Sequence, residues 1–372
     1  MPISTDECTA WLEIDLGAIQ NNIRLLRQKL SKPVMAVVKA NAFGHGIIPS
    51  SKAALAGNAE WLGVARIEEA LQLREAGIQV PVLVFGYTAP CKVKDAAGNS
   101  IRLTVYDRSI AQAYNEEALR CGAVLKVHVK VDTGMGRLGL FPDQAVDFLH
   151  TLTGMKGLEI EGIFTHFARA DEPEQQTTQE QINRFTNIIW EIEKMGLRPP
   201  WVHADNSAGS LNFPQASHDL IRTGIVVYGL SPSSKNPLPD GYRAALAFKA
   251  KLVSIKEFPP GSGISYSHRY VTYKTEKIGV IPVGYADGLR RVSGNEVLIR
   301  GVRVPVVGNV CMDQCMIQLE KVPDAQIGDE VVLIGQQNGD KITADDLAEL
   351  WGTINYEVVC NMAARLPRIY IE

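Results

Sequence analysis

The feature that most constrains this chain is an alternation of short apolar segments with helical patterns through its first two thirds. The apolar segments are rich in β-branched residues and are bounded by turn residues, as buried parallel strands are. There are eight: Val34–Val38, Trp61–Val64, Val80–Phe85, Leu103–Val105, Leu125–Val131, Leu158–Phe164, Trp201–Ala204 and Leu220–Tyr228. Repeated strand–helix units of this kind predict an α/β fold, a closed (β/α)8 TIM-like barrel.

The segments between these strands have the periodicity of amphipathic helices. The first helix follows Asp15, and its apolar residues recur at spacings of three and four: Ile19, Ile23, Leu26 and Leu30. The same pattern fills Arg66–Ala76, Ser109–Arg120, Asp143–Leu152 and Arg184–Met195. A glycine stands where a left-handed helix end is expected at Gly77, Gly122 and Gly196. Each helix therefore fits a crossover between neighbouring strands.

The pattern changes after Arg243. Short strands broken by turns follow, with PPGSG, VSGN, GVRVP, IGDE and QNGD as the turn sequences. One late helix is expected to open at Thr343, with Asp346 as its capping-box partner. The sequence thus predicts a barrel domain over 1–243 and a mainly β domain over 244–372.

Composition excludes several classes of function. The chain of 372 residues has 38 basic and 41 acidic side chains, so no strong positive field attracts nucleic acid or an anionic membrane. No apolar run is long enough to span a bilayer, and the N-terminus lacks the features of a secretory signal. The six cysteines and seven histidines do not cluster, which makes a metal site improbable. We expect a cytoplasmic protein without a metal.

The carboxyl ends of the barrel strands are where such folds place their active sites. Lys39 closes the first strand. It is either an ordinary lysine, whose ammonium group is solvated while its methylene chain packs on apolar residues, or an amine available for a Schiff base. The loop after the fifth strand, Gly134–Gly139, formally matches GxGxxG, but it lacks the doubly wound context of a dinucleotide site. We interpret it as a loop whose glycines let the backbone come close to a bound group, and which carries Arg137 into the mouth of the barrel.

Other strand ends add a histidine and a phosphate cradle. His166 ends the sixth strand, and Ser207 with the amides of Gly224 and Ile225 lies where this class of barrel binds phosphate. Lysine, arginine and histidine around such a cradle suggest pyridoxal 5'-phosphate as cofactor.

Several long motifs extend this pattern over nearly the whole chain. They are AVVKANAFGHG, KVDTGMGRLG, GIFTHFARADE, HADNSAG, IRTGIVVYG, GISYS, IPVGYADG, GNVCMDQCM and NYEVVCNMAARLPRIY. In this order they resemble those of the alanine racemases, barrel-type (fold type III) pyridoxal-phosphate enzymes. The resemblance implies an isomerase that interconverts L- and D-alanine by a two-base mechanism and supplies D-alanine for peptidoglycan. It also implies a homodimer whose active sites are shared between subunits.

The resemblance assigns roles residue by residue. Lys39 would be the Schiff-base lysine and one catalytic base, and Tyr266 the second base, reaching in from the partner subunit. Arg222 would donate to the pyridine nitrogen, with His166 linking it to Tyr266. The phosphate would be bound by Ser207, Gly224, Ile225 and Tyr356, and the cofactor's phenolic oxygen would be contacted by Arg137. The substrate carboxylate would be contacted by Met312. The entrance to the site would be lined by Tyr285 and Tyr356. For Arg137 a substrate contact is implied as well.

Three single positions and one three-residue segment depart from the family pattern or vary within it. Phe43 stands where tyrosine is usual, so one phosphate hydrogen bond should be missing, and Thr223 stands where proline is common. After Tyr266 the chain reads Ser267-His268-Arg269, where glycine is more usual. Lys130 occupies a position that is carbamylated in several members, where the new negative charge would hold Arg137.

Alternatives remain open on the sequence alone. The chain could be a racemase of serine or of a bulkier amino acid, or a decarboxylase on the same barrel. It could also be a carrier that binds pyridoxal phosphate without catalysis, although such proteins resemble only the barrel. A sugar-phosphate barrel enzyme without a cofactor is the last alternative.

Overall fold

The structure, a computed structural model, describes residues 5–372, which divide into two units. The barrel unit comprises Ala18–Ala42 and Ile47–Arg243. The β-rich unit comprises residues 5–17, Phe43–Gly46 and Ala244–Glu372. Within the described residues, no helix has the length and apolar character needed to cross a membrane.

The first strand, β1 (Ala10–Asp15), belongs to the β-rich unit, and the next eight form the sheet of the barrel unit. These are β2 (Val34–Val37), β3 (Trp61–Val64), β4 (Val82–Val84), β5 (Ile101–Val105), β6 (Leu125–Lys130), β7 (Leu158–Phe164), β8 (Trp201–His203) and β9 (Ile221–Thr223). All neighbours are parallel, and the order follows the chain from β2 to β8 with β9 beside β2. The N–H of Asp219, just before β9, donates to the carbonyl of Val202 on β8 at 2.9 Å. This bond nearly closes the ring, so the predicted barrel is confirmed.

Helices surround these strands. They are α1 (Leu16–Leu30), α2 (Ile47–Ala56), α3 (Ile67–Glu75), α4 (Val93–Gly98), α5 (Arg108–Arg120), α6 (Ala145–Thr153), α7 (Gln176–Lys194) and α8 (Ser207–Asn212). On α1, Ile19, Ile23 and Leu26 are fully buried, as their spacing predicts. The predicted left-handed ends are also present, with φ of 80° at Gly77, 65° at Gly122 and 67° at Gly196.

Two boundaries differ from the sequence prediction by five residues or more, each for a physical reason. Helix α7 begins at Gln176 rather than Arg184, because its first turns bury the polar residues Thr178 and Gln181, which no apolar pattern reveals. The eighth strand ends at Thr223 rather than Tyr228, because Gly224 leaves the extended conformation (φ −115°, ψ −88°) and a 3₁₀ turn follows over Ile225–Tyr228.

The strands of the β-rich unit after β1 are β10 (Leu246–Lys251), β11 (Ser254–Phe258), β12 (Gly263–Ile264), β13 (Tyr270–Val271), β14 (Glu276–Ile281), β15 (Glu296–Ile299), β16 (Val302–Val307), β17 (Cys315–Gln318), β18 (Glu330–Gln337), β19 (Asp340–Ile342) and β20 (Arg368–Ile371). Most of them form one mixed sheet with the order β11-β14-β17-β16-β15-β18-β10-β1-β20, and β19 pairs with β18. Strands β12 and β13 form a separate hairpin. Because β1 pairs with β10 and β20, residues 10–15 lie in this unit, whereas the sequence placed all of 1–243 in the barrel domain.

Two short helices complete the β-rich unit, α9 (Ala344–Trp351) and α10 (Asn355–Cys360). The capping box predicted at the start of α9 is present. The N–H of Asp346 donates to Thr343 Oγ1 at 3.0 Å, and the N–H of Thr343 donates to Asp346 Oδ2 at 2.7 Å. Helix α10 is only six residues long, too short for a visible period in the sequence.

Candidate active site

Lys39 lies two residues after the end of β2, at the carboxyl end of the barrel sheet. The next three residues, Ala40, Asn41 and Ala42, all have left-handed backbone, with φ between 53° and 56°. Left-handed conformations are unfavourable for alanine, so the turn must be held by its surroundings. The N–H of Ala40 donates to Glu69 Oε1 at 2.6 Å, and Asn41 Oδ1 accepts from the N–H of Ile47 at 2.9 Å. The strained turn fixes the backbone beside the lysine.

Arg222, on β9, is a buried cation bound to neutral acceptors. Its Nη1 donates to His203 Nδ1 at 2.9 Å, and its Nη2 donates to the carbonyls of Thr165 (2.7 Å) and Ala204 (3.1 Å). Burial lowers the pKa of Arg222 to about 10, so the group stays protonated at neutral pH. Because a protonated guanidinium has five N–H groups and no acceptor, Arg222 retains donors for a further acceptor.

His166 follows β7 and lies beside Arg222. Its Nδ1 is 3.3 Å from Arg222 Nη2 and can only accept there, which leaves the proton of a neutral ring on Nε2. Burial and the charges of Arg222 and Lys130 hold the pKa of His166 well below its ordinary value. His166 is therefore a neutral imidazole with an Nε2–H donor.

The glycine-containing loop after β6 is organised by one carboxylate. Asp132 Oδ1 accepts the backbone N–H groups of three consecutive loop residues, 134–136, at 2.7–3.1 Å, and Oδ2 accepts that of Arg137 at 2.9 Å. Burial alone would raise the pKa of Asp132, but these donors lower it. The loop thus fixes the backbone of Arg137, the residue that it carries.

Lys130, the last residue of β6, is almost completely buried, at 4% exposure. Its Nζ lies 5.2 Å from the centroid of the Phe164 ring. Burial, followed by the charges of Arg222 and Arg137, lowers the pKa of Lys130 to about 7. Much of this amine is therefore unprotonated at neutral pH, unlike that of an ordinary lysine.

The predicted phosphate cradle is assembled from two strand ends. Ser207 opens α8 after β8, and its Oγ accepts the N–H of Gly224, just after β9, at 2.9 Å. Thr223 adds a second hydroxyl, with Oγ1 3.2 Å from Ser207 Oγ. The structure thus brings Ser207 and Gly224 together, with Ile225 next in the chain, and Thr223 contributes a hydroxyl that a proline would lack.

In the β-rich unit, Tyr266 stands on a strained turn. It is 69% exposed, and its neighbours Ser265, Ser267 and His268 have φ of 66°, 61° and 43°. Asn309 holds the turn, since its carbonyl accepts from Ser265 Oγ and its Nδ2 donates to the Tyr266 carbonyl, both at 2.7 Å.

The remaining predicted residues of the β-rich unit lie on neighbouring segments. The N–H of Tyr285 donates to the Cys311 carbonyl, and that of Ala286 to the Met312 carbonyl, each at 3.0 Å. Tyr285 is 46% exposed and Met312 is 53% exposed. Tyr356 packs against Phe43, with ring centroids 6.1 Å apart. Tyr266, Tyr285 and Met312 therefore share an unusual degree of exposure for large side chains.

The family models match both units. The model described as the alanine racemase N-terminal domain matches residues 14–232, and the one described as the alanine racemase C-terminal domain matches 245–370. The chain belongs to the alanine racemase family. The predicted membership and the predicted fold are both confirmed.

Individual alanine racemases and related structures agree with this membership. The alanine racemase of Desulfovibrio desulfuricans is 43% identical over 97% of this chain and 98% of its own length. The structure of the Bacillus anthracis alanine racemase with bound L-Ala-P is 40% identical, with a TM-score of 0.93 over 100% of this chain and 96% of that one. A histidine racemase from Leuconostoc mesenteroides shares the architecture at 29% identity, with a TM-score of 0.91 over 99% and 100% of the two chains.

Buried polar residues beneath the racemase motifs were not predicted from the sequence. Asp205, within HADNSAG, is fully buried, accepts a hydrogen bond from Ser217 Oγ, and has no partner at Oδ1 among the described residues. Burial raises the pKa of Asp205 to about 6. Glu161 and His128 lie in strands where they interrupt apolar runs, and that interruption was the available signal.

Proposed function

We propose that this protein interconverts L- and D-alanine with pyridoxal 5'-phosphate, using Lys39 and Tyr266 as its two bases. The observation that carries the proposal is Arg222, a buried, protonated donor beside a neutral His166. Such a donor fits a ring nitrogen that has a lone pair and stays unprotonated. The full-length similarity to alanine racemases favours alanine as the substrate.

The charges of the barrel unit fit a phosphorylated cofactor with a phenolic oxygen. Among residues 5–372, Arg137 and Arg222 make no ion pair with a carboxylate. Two cations without carboxylate partners favour an anionic ligand. Ser207, Gly224, Ile225 and Tyr356 would hold the phosphate, and Arg137 would face the phenolic oxygen and the substrate.

The chemistry divides between the cofactor and the chain. When bound at Lys39, pyridoxal phosphate withdraws electrons from the substrate Cα and so makes its proton removable. Racemisation then requires a base on each face of Cα, since one base alone would have to cross from one face to the other. Lys39 holds or delivers the proton on one face and Tyr266 on the other. His166, through its Nε2–H, would steady the Tyr266 oxygen, and Met312 would contact the substrate carboxylate.

A shared site explains why Tyr266, Tyr285 and Met312 are exposed. Large exposed side chains gathered on one surface are typical of a protein interface. We therefore propose a homodimer in which these residues approach the partner's barrel, with Tyr285 and Tyr356 at the entrance. The six cysteines all lie within residues 5–372 and form no disulfide, which fits the reducing cytoplasm and a role in supplying D-alanine for peptidoglycan.

Proton exchange tests the activity directly. Incubation with L-alanine in deuterated water should replace the Cα proton while optical rotation falls to zero, and Lys39→Ala should abolish both. Exchange without inversion, release of carbon dioxide, or faster turnover of L-serine would overturn the assignment. Purified protein should also be yellow, and borohydride should bleach it by fixing Lys39 to the cofactor.

Subunit complementation tests the shared site. Lys39→Ala and Tyr266→Phe proteins are inactive alone but form one intact site in a mixed dimer if Tyr266 acts across the interface. An equal mixture refolded together should recover about a quarter of wild-type activity, because about half of the dimers are mixed and each has one intact site of two. No recovery in a mixture that contains mixed dimers would contradict sharing.

A further inference from the structure

A line of buried side chains in the barrel unit continues from Arg222 to a carboxylate. Arg222 Nη1 lies 2.9 Å from His203 Nδ1, His203 Nε2 lies 2.8 Å from His128 Nδ1, and His128 Nε2 lies 3.4 Å from Glu161 Oε2. Both histidines are fully buried, and Glu161 is 6% exposed. No part of the proposed racemase chemistry uses these three residues.

The two ends of this line fix the direction of every hydrogen bond in it. Arg222 can only donate, so His203 accepts at Nδ1 and carries its proton on Nε2. That proton is donated to His128 Nδ1, so the proton of His128 lies on Nε2, which faces Glu161. Burial lowers the pKa of both histidines, in agreement with one proton per ring. Each donor thus meets an acceptor, from the cation to the carboxylate.

Glu161 is well suited to end the line. Burial alone would raise its pKa, but hydrogen bonds from His128, Arg102 and Lys126 hold that pKa well below its ordinary value. Arg102 binds it through Nε at 2.7 Å and Nη2 at 3.0 Å, and Lys126 Nζ lies 2.8 Å away. The Glu161 carboxyl is therefore ionised near neutral pH and can accept the hydrogen bond from His128.

Packing holds both imidazoles in place. The Phe164 ring stacks on His203 at 4.8 Å with an interplanar angle of 3°, and Trp61 meets the His128 ring edge-on at 5.6 Å. A Cβ atom on Gly162 would lie 2.4 Å from His128 Nδ1. Glycine is thus required at 162 for His128 to occupy this position.

We infer that Glu161, His128 and His203 are positioning residues that orient Arg222 toward the cofactor's pyridine nitrogen through a one-way hydrogen-bond relay. The relay occupies one N–H of Nη1, which stops the guanidinium from turning and leaves other donors for the ring nitrogen. It also links the buried cation to a carboxylate through two neutral rings rather than by direct contact. The inference rests on the proposed function only in naming the ring nitrogen as the target.

The first experiment measures the relay without reference to catalysis. Nitrogen-15 NMR of histidine-labelled holoenzyme, with resonances assigned by His128→Asn and His203→Gln, reports which ring nitrogen carries the proton. We expect the Nε2–H form at both positions. An Nδ1–H form or a charged ring at either position would overturn the relay, even if the protein is a fully active racemase.

The second experiment breaks the relay at its far end. Glu161→Gln should shift the nitrogen-15 resonance of labelled pyridoxal phosphate and lower kcat about tenfold with little change in KM. Glu159→Gln is the matched control, since Glu159 also faces Lys126, at 3.4 Å, but does not contact His128. Gly162→Ala, which displaces His128 without removing a charge, should act like Glu161→Gln.

The outcomes separate the two proposals. A wild-type ring-nitrogen resonance together with wild-type kcat in Glu161→Gln would overturn the relay. A wild-type protein that neither binds pyridoxal phosphate nor racemises alanine would overturn the proposed function, whereas the tautomers in that protein would still test the relay. Should Glu161→Gln fail to fold, the tautomers of the wild-type protein alone support or overturn the relay.

Discussion

Arg222 Nη2 lies 3.3 Å from Nδ1 of His166, and no carboxylate within residues 5–372 forms an ion pair with this guanidinium. At the pyridine nitrogen of the proposed cofactor, Arg222 would donate but could not give up its proton, so the ring nitrogen would stay unprotonated. A ring in that state is a weaker electron sink. In the proposed site, the pair would therefore favour racemisation over the reactions that a stronger electron sink promotes.

The first prediction follows from this pair. Arg222→Glu places a carboxyl at the ring nitrogen, which can protonate it and strengthen electron withdrawal. We expect more transamination per racemisation event, measured as pyruvate formed against optical rotation lost from the same sample. Arg222→Lys, which keeps a donor, is the control and should change the ratio less. An unchanged ratio in Arg222→Glu would disprove this account.

Tyr266→Phe should remove one base and spare the other. We expect racemisation to fall by about 10²–10⁴-fold, the usual contribution of general acid–base catalysis. One enantiomer of alanine should still exchange its Cα proton through Lys39, without inversion, when followed by proton NMR in deuterated water. Tyr273→Phe alters a 93% exposed tyrosine in the same region and should leave the rate unchanged. Equal loss of exchange for both enantiomers would contradict a two-base arrangement.

Lys130 is expected to react with carbon dioxide. A carbamate forms from the neutral amine, and burial, followed by Arg222 and Arg137, lowers the pKa of Lys130 to about 7. Native mass spectrometry should show the added mass of one carbon dioxide, and its fraction should fall as the pH drops below 7. Lys130→Arg should abolish the adduct. Lys126→Arg should not, because Glu161 raises the pKa of Lys126 and keeps it charged. Unmodified mass at ambient carbon dioxide would count against the carbamate.

Asp205 should make the protein less stable as its carboxyl ionises. Burial raises the pKa of Asp205 from 3.8 to about 6, so between these values the folded state binds more protons than the unfolded state. Stability therefore falls as the pH rises through this window, by up to about 3 kcal/mol, and the loss is complete above pH 6. In chemical denaturation, Asp205→Asn should exceed wild type in unfolding free energy at pH 7 and match it near pH 4. Asp324→Asn, at an exposed site, should differ at neither pH.

The sequence predicted the barrel and the main site because their signals are contiguous. Each buried strand is a short apolar run, and Lys39, His166 and Ser207 each follow one closely. The relay was not predictable in this way. His128, Glu161 and His203 lie on three different strands, and only the sheet register, with its irregularity between Val127 and His128, brings them into line.

For a related reason, the sequence pattern did not predict that β1 belongs to the β-rich unit. Its partners, β10 and β20, lie more than 200 residues away in the chain. No local pattern distinguishes a strand that pairs with such distant segments from one that begins a barrel. The residues around β1 alone therefore could not assign it to the β-rich unit.

Phe43→Tyr should tighten cofactor binding. Phe43 is 5% exposed and packs on Tyr356, one of the proposed phosphate ligands, so a hydroxyl added to its ring would be buried close to that ligand. A hydrogen bond to the phosphate should lower the cofactor Kd about three- to tenfold, measured by titration of apoenzyme with pyridoxal phosphate. Phe141→Tyr adds the same hydroxyl to a 69% exposed ring and should leave the Kd unchanged. Weaker binding by Phe43→Tyr would show that the buried hydroxyl finds no acceptor, and that the phosphate lies elsewhere.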